Sequence, residues 1–206
     1  MSVYNNHSIL FNDFESFNYF KINQGCFVNL MSTTLLIYST TDGHTRKISL
    51  KMQEIIQAQG QTVTLLPIEE ITADTLGSHD KIVIGASIRY GKHQKVVADF
   101  IEQNKTTLES KPSAFYTVNL VARKPEKCQP DTNPYIIKFL AQLDWLPSLQ
   151  GVFAGKLDYQ KYGFIDRNMI RFIMWMTKGP TDPTTNIEFT NWESVDQFAN
   201  AVVKMS

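Results

Sequence analysis

Three short segments carry the side chains best suited to chemistry. Ser39-Thr40-Thr41-Asp42-Gly43-His44-Thr45 joins an apolar run to a helical pattern. Backbone N–H groups at a helix N-terminus lack partners and the helix dipole is positive there, so such a loop can bind an anion. Ser39, Thr40 and Thr45 can donate to a phosphate, and Gly43 lets the backbone approach closely. The loop has no lysine and GxxxxGK[ST] is absent, unlike a nucleoside triphosphate loop. An ordinary helix cap uses the same residue types, so this loop alone leaves both readings open. The second segment, Gly85-Ala86-Ser87-Ile88-Arg89-Tyr90-Gly91, places an apolar residue, an arginine and a tyrosine in one turn. Ser87, Ile88, Arg89, Tyr90 and Gly91 together suit a flat heterocycle, which needs an apolar or aromatic wall and backbone donors at its polar edge. A strand-to-helix turn in which Tyr90 simply packs is the alternative. In the third, Thr117–Lys124, Asn119 offers both a donor and an acceptor for the amide edge of a heterocycle, with Leu120, Val121 and Ala122 beside it. Arg123, Lys124 and Lys127 follow, where they could meet a substrate carboxylate. As a solvated basic loop they would need no ligand.

The elements around these segments alternate. Thr33–Tyr38 is a short β-branched apolar run, as a buried parallel strand requires. Arg46–Gln59 carries Ile48, Met52, Ile55 and Ile56 at helical spacing and ends at Gly60. Strands are expected at Val63–Leu66, Asp80–Gly85, Ser113–Leu120 and Gln150–Ala154. Helices are expected at Val96–Asn104, Tyr135–Leu143 and Trp192–Met205. This alternation specifies an α/β, doubly wound sheet of five parallel strands, and its length suits the flavodoxin-like order 2-1-3-4-5. Ligands bind such sheets at the carboxyl ends of the strands, and all three chemical segments fall there.

Composition narrows the functional classes. A chain of 206 residues with 43% hydrophobic content can bury one domain's core. The net charge is zero, so no global field favours nucleic acid. Locally, Val121–Lys178 holds nine Lys/Arg against five Asp/Glu, a net of +4, and Gly179–Ser206 holds one against four, a net of −3. Cys26, Cys128 and the four scattered histidines show no metal-ligand or disulfide spacing, a pattern of reducing compartments. No run of eighteen apolar residues exists. The first thirty residues, rich in Asn and Phe, lack a clear period and make a poor signal peptide. Residues 1–30 are therefore expected to be a poorly ordered extension before a flavodoxin-like domain over 31–206. An aromatic arm that touches membrane is the alternative for them.

STTDGHT after the first strand resembles the phosphate loop of flavodoxins. GASIRYG and SAFYTVNLVARKPEK are more specific, and closely resemble the quinone-dependent protoporphyrinogen IX dehydrogenases of bacterial haem synthesis. The similarity runs from Met31 through TNWESVDQFA. It implies non-covalent FMN and removal of six electrons from protoporphyrinogen IX to give protoporphyrin IX. The electrons go to a respiratory quinone, menaquinone or ubiquinone, at the cytoplasmic face of the bacterial inner membrane. The segment Tyr162–Lys178 agrees with this. It carries Ile165, Met169, Phe172, Ile173 and Met176 at helical spacing, interleaved with Arg167, Arg171 and Lys178, and with Phe164 and Trp175 as interfacial aromatics. Such an inserted basic amphipathic helix can lie on an anionic membrane without crossing it. A core-packing helix with a basic edge is the alternative. No side chain stands out as an obligate acid or base. The rival function is a flavodoxin acting as a soluble electron carrier, which expects an acidic docking surface; the local +4 opposes it. A phosphate-dependent receiver domain needs several carboxylates at the strand ends, and Ser39–Asp42 has one.

Overall fold

The computed structural model describes residues 32–206 and, ahead of them, the backbone of two strands, 19–22 and 26–29. Strands β1 (Tyr19–Ile22) and β2 (Cys26–Asn29) pair antiparallel, Tyr19 opposite Asn29 and Ile22 opposite Cys26. The rest of the expected 1–30 extension lies outside the described residues. Ser32–Ser206 forms a separate unit.

In that unit, Leu35, Leu36 and Ile37 are almost fully buried on both faces of β3 (Thr33–Ser39), as an interior parallel strand demands. β3 pairs in parallel with β4 (Thr62–Pro67) on one side and β5 (Lys81–Arg89) on the other. β7 (Ser113–Asn119) and β8 (Leu149–Ala154) extend the sheet in the order β4-β3-β5-β7-β8, which is the expected 2-1-3-4-5. Helices α1 (His44–Ala58) and α6 (Trp192–Lys204) cover one face through Ile48, Met52, Ile56, Phe198 and Val202. Helices α3 (Lys95–Ser110) and α4 (Pro134–Leu143) cover the other through Val97, Ile101, Ile136 and Phe139. Between β4 and β5 runs a five-residue helix, α2 (Ala73–Gly77), too short to leave a periodic signal.

The register explains how three distant segments meet. Ser39 stands opposite Ala86, Ser87 opposite Val118, and Asn119 opposite Ala154, so each chemical segment leaves the sheet at the same edge. Two boundaries differ from expectation. β5 runs four residues past Gly85 and reverses through Tyr90 (φ 51°) and Gly91 (φ 78°) into a two-residue β6 (Lys92–His93). Two successive positive φ values make the hairpin turn that matches strand twist, so GASIRYG is a β-ribbon rather than a strand-to-helix turn. Gly85 lies inside the strand for packing: a Cβ there would overlap the ring of Tyr116, whose hydroxyl lies 2.6 Å from Ser49 Oγ. The second difference is an excursion between β8 and α6. Strands β9 (Lys156–Asp158) and β10 (Asn186–Glu188) pair antiparallel at its base. They return a loop that carries α5 (Phe164–Met176), a shorter helix than Tyr162–Lys178. Leu157, Tyr159, Tyr162 and Met174 make its own small core.

Candidate functional site

The three segments and α5 line one open cleft. Thr40, Asp42, His44 and Thr45 line it from the first segment. Gly43 precedes α1 at φ 81°, a conformation open to glycine at little cost, and its carbonyl starts the helix by accepting from Lys47 N–H. Five buried side-chain polar atoms lack a partner among the described residues, and three belong to this cleft: Thr40 Oγ1, Thr45 Oγ1 and Asn119 Nδ2. A buried donor without a partner costs roughly 1–3 kcal/mol. Two hydroxyls at a helix N-terminus and one amide donor across the cleft match a phosphate and the polar edge of a heterocycle.

Other members of the first segment have different tasks. Ser39 is buried away from the cleft and donates to Gln94 Oε1 at 3.0 Å. Thr41 accepts from Gln94 Nε2 at 3.1 Å and lies 3.5 Å from Ser87 Oγ, tying this loop to the ribbon. The phosphate donor expected at Ser39 is thus a loop brace. His44 Nε2 lies 2.6 Å from Thr190 Oγ1, whose own proton goes to the Ala154 carbonyl at 2.8 Å. His44 Nε2 is therefore the donor, and burial lowers the imidazole pKa, keeping the ring neutral.

On the ribbon, Ser87, Ile88, Arg89, Tyr90 and Gly91 all line the cleft as expected. Arg89 Nη1 reaches both oxygens of Asp42, at 2.9 and 3.0 Å, and Nη2 donates to Asp166 in the first turn of α5. The Tyr90 hydroxyl donates to the same carboxylate. Burial opposes the charge on Arg89, but Asp42, Tyr90 and Asp166 outweigh it and raise its pKa. The Tyr90 hydroxyl and Arg89 hold the Asp166 carboxyl below its ordinary range. The guanidinium lies 5.5 Å from the ring centres of both Tyr90 and Tyr162.

In the third segment Asn119 Oδ1 is already engaged, accepting from Ala122 N–H at 2.9 Å and so capping the 3₁₀ turn Leu120–Arg123. Only the donor half of the expected donor–acceptor pair is left without a partner. Leu120 and Val121 line the cleft, whereas Ala122 lines a groove behind β8. Arg123 reaches the cleft wall, but Nη1 donates to the Leu120 carbonyl at 2.7 Å and Nη2 to the carbonyl and hydroxyl of Thr177 at 3.1 and 3.0 Å. Lys124 and Lys127 are not among the lining residues. Of the basic run expected to receive a carboxylate, Arg123 thus has its donors committed to Leu120 and Thr177.

Residues that sequence reasoning missed come from the excursion and from α4. Tyr135 and Tyr162 add aromatic walls. Ile170, Ile173, Met174 and Thr177 turn one side of α5 to the cleft. Their i, i+3, i+4, i+7 spacing was legible, but it overlaps a second stripe. Ile165, Met169, Phe172 and Met176 face solvent with Phe164 and Trp175, the last 69% exposed. Ile173, expected on the membrane stripe, belongs to the cleft side. Arg171 Nε donates to the Thr181 carbonyl at 2.9 Å, and Arg167 is half-buried. No helix among the described residues is long and apolar enough to cross a membrane.

Comparison with known proteins agrees with this geometry. A family model described as a flavodoxin domain matches residues 35–184. The protoporphyrinogen IX dehydrogenase [quinone] of Escherichia coli K12 is 41% identical over 173 residues, covering 84% of this chain and 96% of that protein. The chain belongs to this family. A protein of the same name from Leishmania major is 41% identical over 167 residues, 81% of this chain and 72% of that one. The structure of a short-chain flavodoxin associated with a bacterial microcompartment shares the fold at 14% identity. Its TM-score is 0.50, over 84% of this chain and 98% of that one. A flavodoxin domain implies FMN, and the partnerless Thr40, Thr45 and Asn119 donors are of the kinds its phosphate and ring edge require.

Proposed function

We propose that the chain holds FMN in this cleft and oxidises protoporphyrinogen IX to protoporphyrin IX, a step of haem biosynthesis, with a membrane quinone as acceptor. FMN supplies the hydride and electron chemistry when bound. Thr40 and Thr45, with the first N–H groups of α1, would hold its phosphate, and Asn119 Nδ2 would meet the polar edge of its ring. Ile88, Tyr90, Leu120 and Tyr135 supply flat and apolar wall, and Ile170, Ile173 and Met174 of α5 keep water from the open side. Asp42 and Asp166 are both committed to Arg89 and His44 donates to Thr190, so these side chains position rather than transfer protons.

One observation carries the reading past a generic flavin domain: α5 turns one apolar stripe to the cleft and another to solvent. A helix built this way suits an enzyme that meets its acceptor in a lipid phase, and it supports peripheral binding to the anionic, cytoplasmic face of a bacterial inner membrane. The test is anaerobic. Purified protein should be yellow with one FMN per chain, and should generate porphyrin fluorescence from protoporphyrinogen IX over many turnovers when quinone-loaded liposomes are supplied and not when empty liposomes are. A yellow protein that leaves the porphyrinogen untouched but exchanges electrons with soluble redox proteins would establish the carrier instead.

A further inference from the structure

Helix α5 is poorly held by its own packing. Of its thirteen residues only Met174 is fully buried. A short helix with so little buried surface needs other anchors to stay in one place. Two arginines provide them, one at each end. At the N-terminal end, Asp166 sits in the first turn, where the helix dipole favours an anion, and receives Arg89 and Tyr90. At the C-terminal end, where carbonyls are left without helical partners, Arg123 donates to the carbonyl and hydroxyl of Thr177. Gly179 allows that approach, because a Cβ on it would stand 2.8 Å from Arg123 Nη2. Both arginines arise beside the cleft, Arg89 from the end of β5 in the ribbon and Arg123 from the turn after β7. Arg89 also grips Asp42 of the first loop. Flanking α5, Gly163 has open space around it, and Lys178 takes a positive φ of 55°.

We infer that Arg89 and Arg123 are positioning residues that pin the two ends of α5 as the roof of the flavin cleft, and that they govern substrate and quinone access rather than cofactor affinity. The inference rests on the proposed function for what passes under the roof. The clamp itself is a structural statement, and the experiment separates the two.

The variants are Asp166→Asn and Arg123→Met, each paired with a conservative partner, Asp166→Glu and Arg123→Lys. All are full-length and FMN-loaded. Amide hydrogen exchange over Phe164–Met176 should accelerate about tenfold or more in Asp166→Asn and Arg123→Met, while α1 exchanges as in the wild type. FMN affinity should stay within about threefold, and KM with liposomal quinone should rise by about fivefold or more while a water-soluble acceptor turns over at its wild-type kcat. Arg123→Lys, which can still donate to the Thr177 carbonyl, should recover much of the protection, as should Asp166→Glu. Unchanged exchange in α5 overturns the clamp. A rise in porphyrinogen KM with full α5 protection makes Arg123 a carboxylate ligand, and loss of FMN with full protection makes it a flavin ligand; either result also overturns the clamp. If the wild type showed no porphyrinogen oxidation, the functional reading would fail while the exchange comparison still judged the clamp.

Discussion

Replacing Phe172 and Trp175 by Ser separates a membrane-facing helix from a core helix. Phe172 is 53% exposed and Trp175 69%, with ring centres 6.0 Å apart. Aromatic side chains bury about 150–250 Å² when fully enclosed, so the two rings offer roughly 250 Å² of open surface. At about 25 cal/mol per Å² that area is worth about 6 kcal/mol if fully withdrawn from water, and about half as much for a helix lying in the headgroup boundary. The double variant should therefore bind anionic liposomes about 100-fold more weakly. Arg167 and Lys178 add about 1 kcal/mol each beside anionic lipid. That part is screened by salt and the apolar part is not, so wild-type flotation should fall with salt without vanishing. Because both rings already face water, the change should leave thermal stability within about 0.5 kcal/mol and the FMN spectrum intact. Turnover of membrane quinone should drop while a water-soluble acceptor still reoxidises the flavin. The reasoning is refuted if the double variant loses FMN or melts several degrees lower, or if the wild type never floats with anionic liposomes.

Other outcomes follow from the interior. Thr40→Ala and Thr45→Ala should each weaken FMN binding by roughly 1.5–3 kcal/mol, measured by flavin fluorescence titration, and should scarcely alter binding of riboflavin, which has no phosphate. Gly85→Ala should destabilise the fold by about 1–3 kcal/mol in urea melts, since its methyl overlaps the Tyr116 ring. His93 is packed against Phe115 and Phe139, with Nε2 3.1 Å from Thr117 Oγ1, and burial pushes its pKa down to about 3 from 6.5. The unfolded chain takes up this proton first as pH falls. The contribution is therefore complete above pH 6.5 and is lost towards pH 3, up to roughly 4–5 kcal/mol. Urea melts of His93→Gln between pH 7 and 4 should show a correspondingly flatter dependence.

The sheet was legible because its interior strands are runs of apolar residues, rich in β-branched types in β3 and β5, and burial on both faces leaves such runs few alternatives. Gly85 misled because glycine usually punctuates a strand, whereas here the strand passes through it to make room for Tyr116. That the first loop borders the cleft could be read from residue types, but the division of labour inside it could not. Whether Ser39 or Thr40 meets the ligand depends on Gln94, 55 residues from Ser39, which engages the Ser39 hydroxyl. Arg123 poses the same problem at 54 residues: nothing near it in sequence announces that Thr177 returns to occupy its donors. The inserted helix was legible, but the strands that bound it were not, because β9 and β10 have three residues each, too few for a period, and the two apolar stripes on α5 blur into one.

Those two stripes bear on why this flavodoxin domain suits an enzyme better than a carrier. Ten large hydrophobic residues are exposed among the described residues, and six of them lie on α5: Phe164, Ile165, Met169, Phe172, Trp175 and Met176. Single exposed apolar residues are ordinary, but a concentration on one helix marks a surface that is covered in use. A soluble carrier must present its flavin edge to protein partners, and α5 stands across that approach with its Ile170, Ile173 and Met174 stripe. Under the membrane reading the same obstruction is useful. The outer stripe holds the helix at the lipid boundary, the inner stripe keeps the cleft apolar, and an acceptor dissolved in lipid reaches the flavin along the helix without entering bulk water. Under that reading the two arginine clamps, Arg89 on Asp166 and Arg123 on Thr177, place the entrance at a defined height above the sheet edge.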